Sequence, residues 1–281
     1  YTILGEKNVF DNSILKGALF IGPNASGKSN SLKGIAFLIN MIKGEDEFFE
    51  RYRCRFSKNP LVILEYEFVF SNKEVIYKVE YNAKTKNISE EITIDAIVVL
   101  KRDGTKGELR IGDSVILDEQ LDNKTLFLRT ASFNTGRFPQ EPILRELMDY
   151  LNNSYYIDGY NRGASWGKTI TKYAEEYGVE SINKYLRDFN YDFFLEYGSE
   201  STGEGARISV GSDEKIVFFK RKSFPFPSIF YDESQGNQVF ADMLPNLIKT
   251  IEKPGMFIFD EFGNSLHNKL AEKIVKYFMQ R

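Results

Sequence analysis

A chain of 281 residues, 42% hydrophobic and 15% aromatic, has the makings of a large core, and its length suits one or two domains. A net charge of −3 gives no bulk argument for nucleic-acid binding, and the single cysteine, Cys54, excludes an intrachain disulfide framework and fits a reducing cytoplasm. No apolar run reaches the roughly eighteen residues of a membrane span and no signal-peptide pattern opens the chain, so no membrane is expected.

In chain order, the apolar run 18–21 predicts a short buried strand, 22–27 a loop, and 29–42 a helix with Leu32, Ile35, Ala36, Phe37 and Ile39 at helical spacing, stopped by Gly44. The basic and aromatic stretch "RYRCRFSK" follows. From 61 to 117 the pattern changes to period two: "VILEYEFVF" and "VIYKVEY" read as a hairpin turning at Ser71-Asn72-Lys73, with further strands around Ile92, Ile97, Leu109 and Val115. Helical spacing returns at Ile143, Leu144, Leu147 and Leu151, and again at Ile182, Tyr185, Leu186 and Phe189. Between them, 161–168 is a glycine-rich stretch expected to be mobile. Strands are predicted at 193–197, 208–210 and 216–220. "FPFP" then leads to a helix that contains Pro245, and the apolar strand 256–259 ends in Asp260-Glu261 before helix resumes over 266–279. The chain starts at Tyr1 and stops within a helix-like pattern, so residues beyond both ends are expected.

Three stretches carry chemistry. "GPNASGKSN" holds Gly22-x-x-x-x-Gly27-Lys28-Ser29, the spacing of a phosphate-binding loop. Its glycines let backbone amides curl round phosphates, Lys28 reaches the β and γ phosphates, and the Ser29 hydroxyl is a Mg²⁺ ligand. "FIFDEFGNSLH" ends an apolar strand in two carboxylates, which are costly to bury without a cation. A magnesium nucleotide resolves that oddity, with Asp260 on the metal and Glu261 as general base for the attacking water. "ESQGNQ" places Ser234 as an N-cap and Gly236 at the start of a helix, a good anion seat with no anion of its own nearby. A purely structural cap is the alternative.

The order of these motifs, phosphate loop, Ser-Gln-Gly, then Asp-Glu, resembles the soluble ABC-type ATPases of the AAA family, the group that includes OLD-like and SMC-like proteins. The resemblance runs on through "TLFLRTASFN" and "FFLEYGSE". It implies an α/β fold of the P-loop NTPase kind: a mixed central sheet holding the phosphate-loop strand and the Asp-Glu strand, an antiparallel β subdomain and a helical signature lobe. One head would comprise 1–60, 61–120, 121–230 and 231–281. By the same resemblance Gly22, Pro23, Asn24, Ala25, Ser26, Gly27, Lys28, Ser29 and Asn30 bind ATP, and Ser234 and Gly236 act as the signature that closes a second chain's site. Ser29 and Asp260 hold Mg²⁺, Glu261 and Lys28 are catalytic, and Asn264-Ser265-Leu266 form the D-loop. Homodimerisation through shared ATP sites and control of an effector in bacterial anti-phage defence are the implied role.

The chain departs from the pattern in places. The signature lacks a double glycine, Asn237 stands where the group often has Thr, no Q-loop glutamine can be placed, and the chain ends before a switch histidine. The only histidine, His267, comes too early for that role and reads as a D-loop neighbour. Two further readings follow from these residues: an ATP-bound scaffold that scarcely hydrolyses, and a DNA repair ATPase that meets DNA through Arg51, Arg53 and Arg55. The bland reading of "RYRCRFSK" and of Lys220-Arg221-Lys222 is solvated charge or salt bridges.

Overall fold

Alternation of apolar and polar residues over 61–118 folds as a six-stranded antiparallel sheet whose strands pair in sequence order: β1 (Leu61–Phe70), β2 (Lys73–Asn82), β3 (Asn87–Ile94), β4 (Ile97–Asp103), β5 (Lys106–Ile111) and β6 (Ser114–Asp118). The computed structural model describes residues 17–45, 49–134, 141–159, 168–203, 207–211, 214–222, 224–262, 266 and 268–279. The first hairpin turns on Ser71 and Asn72 alone (φ 49° and 62°), and Lys73 already belongs to β2. Two left-handed residues match the twist of flanking strands, which is why so short a loop suffices.

The chain divides into two compact units, 27–156 with 253–258, and 1–26 with 157–252 and 259–281. In the first, one face of the sheet is buried through Val75, Tyr77, Val79, Ile88, Ile92, Leu100 and Leu109. Helices α1 (Lys28–Lys43), α2 (Phe127–Asn134) and α3 (Pro142–Asn152) complete that core. Glu90 and Arg102 face each other across β3 and β4, both within the core. The Glu90 carboxylate accepts from Arg102 (3.1 Å), from the Tyr77 hydroxyl (2.7 Å) and from the Phe127 amide at the start of α2 (2.7 Å). Arg102 also donates to the carbonyls of Gly104, Thr125 and Asp122. Each buried polar atom of the pair thus has a partner, the condition under which such a pair is tolerated.

In the second unit, β8 (Phe193–Gly198), β11 (Ile216–Arg221) and β12 (Phe224–Ile229) form an antiparallel sheet in the order β12-β11-β8. Phe193, Leu195, Phe218 and Phe219 are buried on it. Against it lie α4 (Lys168–Tyr177) and α5 (Glu180–Asp188), and α6 (Gln235–Glu252) packs on those two helices and buries Val239, Phe240, Leu244 and Leu247. "FPFP" belongs to β12 itself. Its prolines are tolerated because β12 is an edge strand with one side unladdered. Pro245 lies inside α6, where it removes one helical N–H. A small pair, β9 (Glu200–Thr202) and β10 (Arg207–Ser209), and helix α7 (Asn268–Met279) belong to the same unit.

Two expectations change. Residues 18–21 are not a strand: Leu19 and Ile21 are 66% and 85% exposed, and no described strand offers them a ladder. Side chains this exposed are not those of the buried strand expected. β13 (Phe257–Asp260) pairs only with β7 (Tyr155–Asp158), a strand too short to show a period in the sequence. The described strands therefore make four separate sheets, without a central one that holds both the phosphate-loop strand and the Asp-Glu strand. The glycine-rich stretch 161–167 lies outside the described residues.

Candidate functional site

The phosphate-loop motif leads straight into α1. Pro23 accepts the Ser26 amide (3.3 Å), which closes a turn over Asn24 and Ala25. Ala25 (φ 63°) and Gly27 (φ 91°) are left-handed, with Ser26 between them outside that region. Such alternation swings successive N–H groups toward one side and makes a concavity for an anion. A Cβ on Gly22 would lie 2.9 Å from the Ser26 hydroxyl, so a side chain at position 22 would make that hydroxyl turn from its present place. Gly27 is the N-cap of α1 and supplies no side-chain cap, and the first turn, Lys28-Ser29-Asn30, carries no acid. The helix therefore presents its positive end undiminished.

At its other end α1 is held firmly. Gly44 (φ 79°) donates to the Asn40 and Met41 carbonyls, Arg129 donates to Ile42 (2.8 Å), and the Lys43 ammonium donates to the Ser154 carbonyl while lying 3.5 Å from the Tyr155 ring centre. Ala36, Phe37, Leu38 and Ile39 are buried in succession, whereas residues 28–30 are half-buried or exposed. The C-terminal half anchors the helix in its core and leaves the N-terminal turn at the surface.

The two carboxylates sit at the carboxyl end of β13. Tyr155 donates to Met256 (2.7 Å) and Gly159 to Asp260 (3.1 Å), the same step along both strands, so β7 and β13 run parallel. Asp260 is buried, and its Oδ1 accepts the Glu261 amide at 3.1 Å. Glu261 is exposed and left-handed (φ 59°), a conformation a long side chain rarely holds and one that marks sites where geometry outweighs comfort. Gly159, which the sequence reading passed over, matters here. A Cβ on it would lie 3.3 Å from both the Asp260 and Glu261 carbonyl oxygens. The dipeptide Asp158-Gly159 just after a short apolar run was the available signal.

The Ser-Gln-Gly tip begins α6 as expected. The Ser234 hydroxyl accepts the Asn237 amide (3.4 Å), so Ser234 is an N-cap, and a hydroxyl that accepts in this way still carries a donor proton. Ser234 and Gln235 are exposed and Gly236 is half-buried. On either side the chain is fixed. Glu233 is buried and grips Arg221 through both oxygens (2.8 and 2.5 Å), while Ser228 and Asn237 donate to it as well. Burial pushes its carboxyl up, but the bonds from Arg221, Ser228 and Asn237 outweigh burial and hold it below the usual carboxylate range.

Lys28 and Ser29 belong to one compact unit, and Ser26, Ser234, Asp260 and Glu261 to the other. Asn264, Ser265 and His267 lie outside the described residues; Leu266 is buried. Lys220 and Arg221 form the salt bridges that the bland reading gave them, to Glu196 (3.5 Å) and Glu233. Arg51, Arg53, Arg55 and Lys58 are exposed, beside a Phe56 that is 99% exposed. Among the described residues no cluster of three or more His, Cys, Asp or Glu gathers. Comparison with models of known protein families and with curated proteins finds no match. No helix among the described residues is long and apolar enough to cross a membrane.

Proposed function

We propose that this chain is a Mg²⁺-dependent ATPase of the soluble ABC type, whose ATP-bound copies pair through shared sites and control a partner effector in anti-phage defence. The observation that carries the proposal is the loop 22–27: a glycine-closed turn with alternating handedness that runs into an uncapped helix beginning Lys28-Ser29. That is a seat for polyphosphate. The residues present fit a magnesium nucleotide, because Mg²⁺ takes one or two protein oxygens and fills the rest of its shell with phosphate and water. Ser29 would ligate the ion, which supplies charge neutralisation at the phosphates when bound, and the resemblance gives Asp260 the role of a Mg²⁺ ligand. Lys28 binds the β and γ phosphates, Glu261 orients a water and receives its proton, and Ser234 with the Gly236 amide contacts the γ-phosphate held by a second copy.

Titration with ATP tests the first part: Lys28→Ala is expected to lose binding. Glu261→Gln is expected to bind as the parent does, stop turning over, and accumulate as the ATP-bound pair. Turnover at the parental rate in Glu261→Gln would remove the general-base role. A second reading, direct action on DNA, draws support from the exposed loop that carries Arg51, Arg53, Arg55 and Phe56. It requires salt-sensitive DNA binding that weakens when these arginines are neutralised.

A further inference from the structure

The Ser234–Gly236 tip is bracketed by two residues that never reach outward. Glu233, directly before it, is buried, and Asn237, directly after it, is held at both ends: its amide nitrogen donates to Glu233 (2.8 Å) and its carbonyl oxygen accepts the Tyr191 hydroxyl (3.2 Å). Glu233 in turn takes both arms of the Arg221 guanidinium and the Ser228 hydroxyl. Arg221 is the last residue of β11, and its Nε lies 3.7 Å from Asp192. Gln238 adds two bonds, to the carbonyls of Phe230 (3.0 Å) and Glu233 (3.1 Å). Residues from β11, from β12, from the segment before β8 and from α6 thus converge on the two flanks, while Ser234 and Gln235 are exposed and Gly236 is half-buried.

Resting on the ATPase reading above, we propose that Arg221, Glu233 and Asn237 form a positioning clamp. It presets the Ser234–Gly236 tip for the phosphate of a second copy, and Asn237 is a strut of that clamp rather than a nucleotide ligand. A tip ordered in advance spends none of its contact energy on being ordered when the pair forms. The guanidinium is needed as a fork: its two parallel bonds fix direction as well as distance, which a lysine ammonium cannot do. The departure at position 237 is explained by the same geometry. A threonine hydroxyl could not span from the Glu233 carboxylate to the Tyr191 hydroxyl as the carboxamide does.

The test uses the Glu261→Gln chain as parent, with Arg221→Lys, Arg221→Ala and Asn237→Ala added singly, all below their melting temperatures. Three quantities are read: affinity for a fluorescent ATP analogue with Mg²⁺ in dilute protein, ATP-driven self-association by sedimentation, and amide hydrogen exchange over 233–238 without nucleotide. The expected result is analogue affinity within about twofold of the parent, because the Lys28 loop lies outside the clamp, together with faster exchange at the tip. Association should weaken about tenfold or more in Arg221→Ala, since a tip displaced by an ångström loses its contact, and less in Arg221→Lys. Faster exchange with unchanged association would overturn the proposal and leave a clamp that serves the fold alone. If Arg221→Ala does not fold, Arg221→Lys and Asn237→Ala decide the matter. A parent that binds the analogue but never associates would sink the paired-site reading itself, visible before any clamp variant is made.

Discussion

Two of the arginine–glutamate pairs among the described residues are largely buried, and they do different work. Glu90 and Arg102 lie in the sheet core, and apart from the Tyr77 hydroxyl their remaining bonds go to backbone: the Phe127 amide and the carbonyls of Gly104, Asp122 and Thr125. They sew the chain between β4 and α2 onto the sheet. Glu233 and Arg221 are less deeply placed, with side chains 3% and 19% exposed, and their other partners are side chains that border an outward-facing tip. The same chemistry thus serves cohesion in one unit and aim in the other. What separates them is whether the bonds end on backbone that must be covered or on a segment that must be presented.

Breaking the first pair should be the costlier act. Arg102→Ala leaves Glu90 buried without its cation, and a loss of about 3–5 kcal/mol in unfolding free energy is expected from denaturant titration. A loss below about 1 kcal/mol would show that the sheet tolerates the orphan, and the contrast with the second pair would fail. Arg221→Ala, by contrast, should show itself mainly in association of the ATP-bound pair, as set out above.

A smaller effect is expected near the two carboxylates. Gly159→Ala puts a methyl 3.3 Å from the Asp260 and Glu261 carbonyls, and overpacking of this kind costs about 1–3 kcal/mol. If the proposed ATPase reading holds, turnover should fall more than ATP affinity, since the substitution bears on the turn at Glu261 and not on the loop 22–27. Equal turnover in Gly159→Ala and the parent would show that this close approach has no bearing on chemistry.

The smallest effect sharpens the comparison through pH. The folded Glu233 carboxyl titrates below its ordinary value of 4.5. Its stabilising contribution is therefore complete above that value and is lost as pH falls through the depressed one. The gap in unfolding free energy between the parent and Glu233→Gln should stay constant from neutral pH down to about 4.5 and narrow below it. A gap that narrows between pH 7 and 5 would assign the effect to another group.

Legibility in the sequence followed the strength of local physics. The six-stranded sheet could be read because one buried face imposes strict alternation, visible in Val75, Tyr77, Val79 and Tyr81. Helix α1 announced itself through its apolar spacing and its Gly44 stop. Strand β7 did not, because four residues carry no period, and β12 was masked by prolines that only its edge position excuses. Residues 18–21 misled in the opposite direction, since apolar composition cannot say whether a ladder partner exists. For the candidate site, the motif residues stand out because the chemistry proposed for them fixes their spacing. Glu233 and Asn237 were not, since their partners Arg221 and Tyr191 lie 12 and 46 residues away.

Glu261 holds its left-handed backbone at a cost of about 1 kcal/mol that glycine would not bear. Directed evolution for heat tolerance alone would therefore drift toward glycine at position 261. The winners of such a screen would be sturdier proteins stripped of the very carboxylate the strain keeps in place. Anyone hardening this molecule for laboratory use should freeze that codon first.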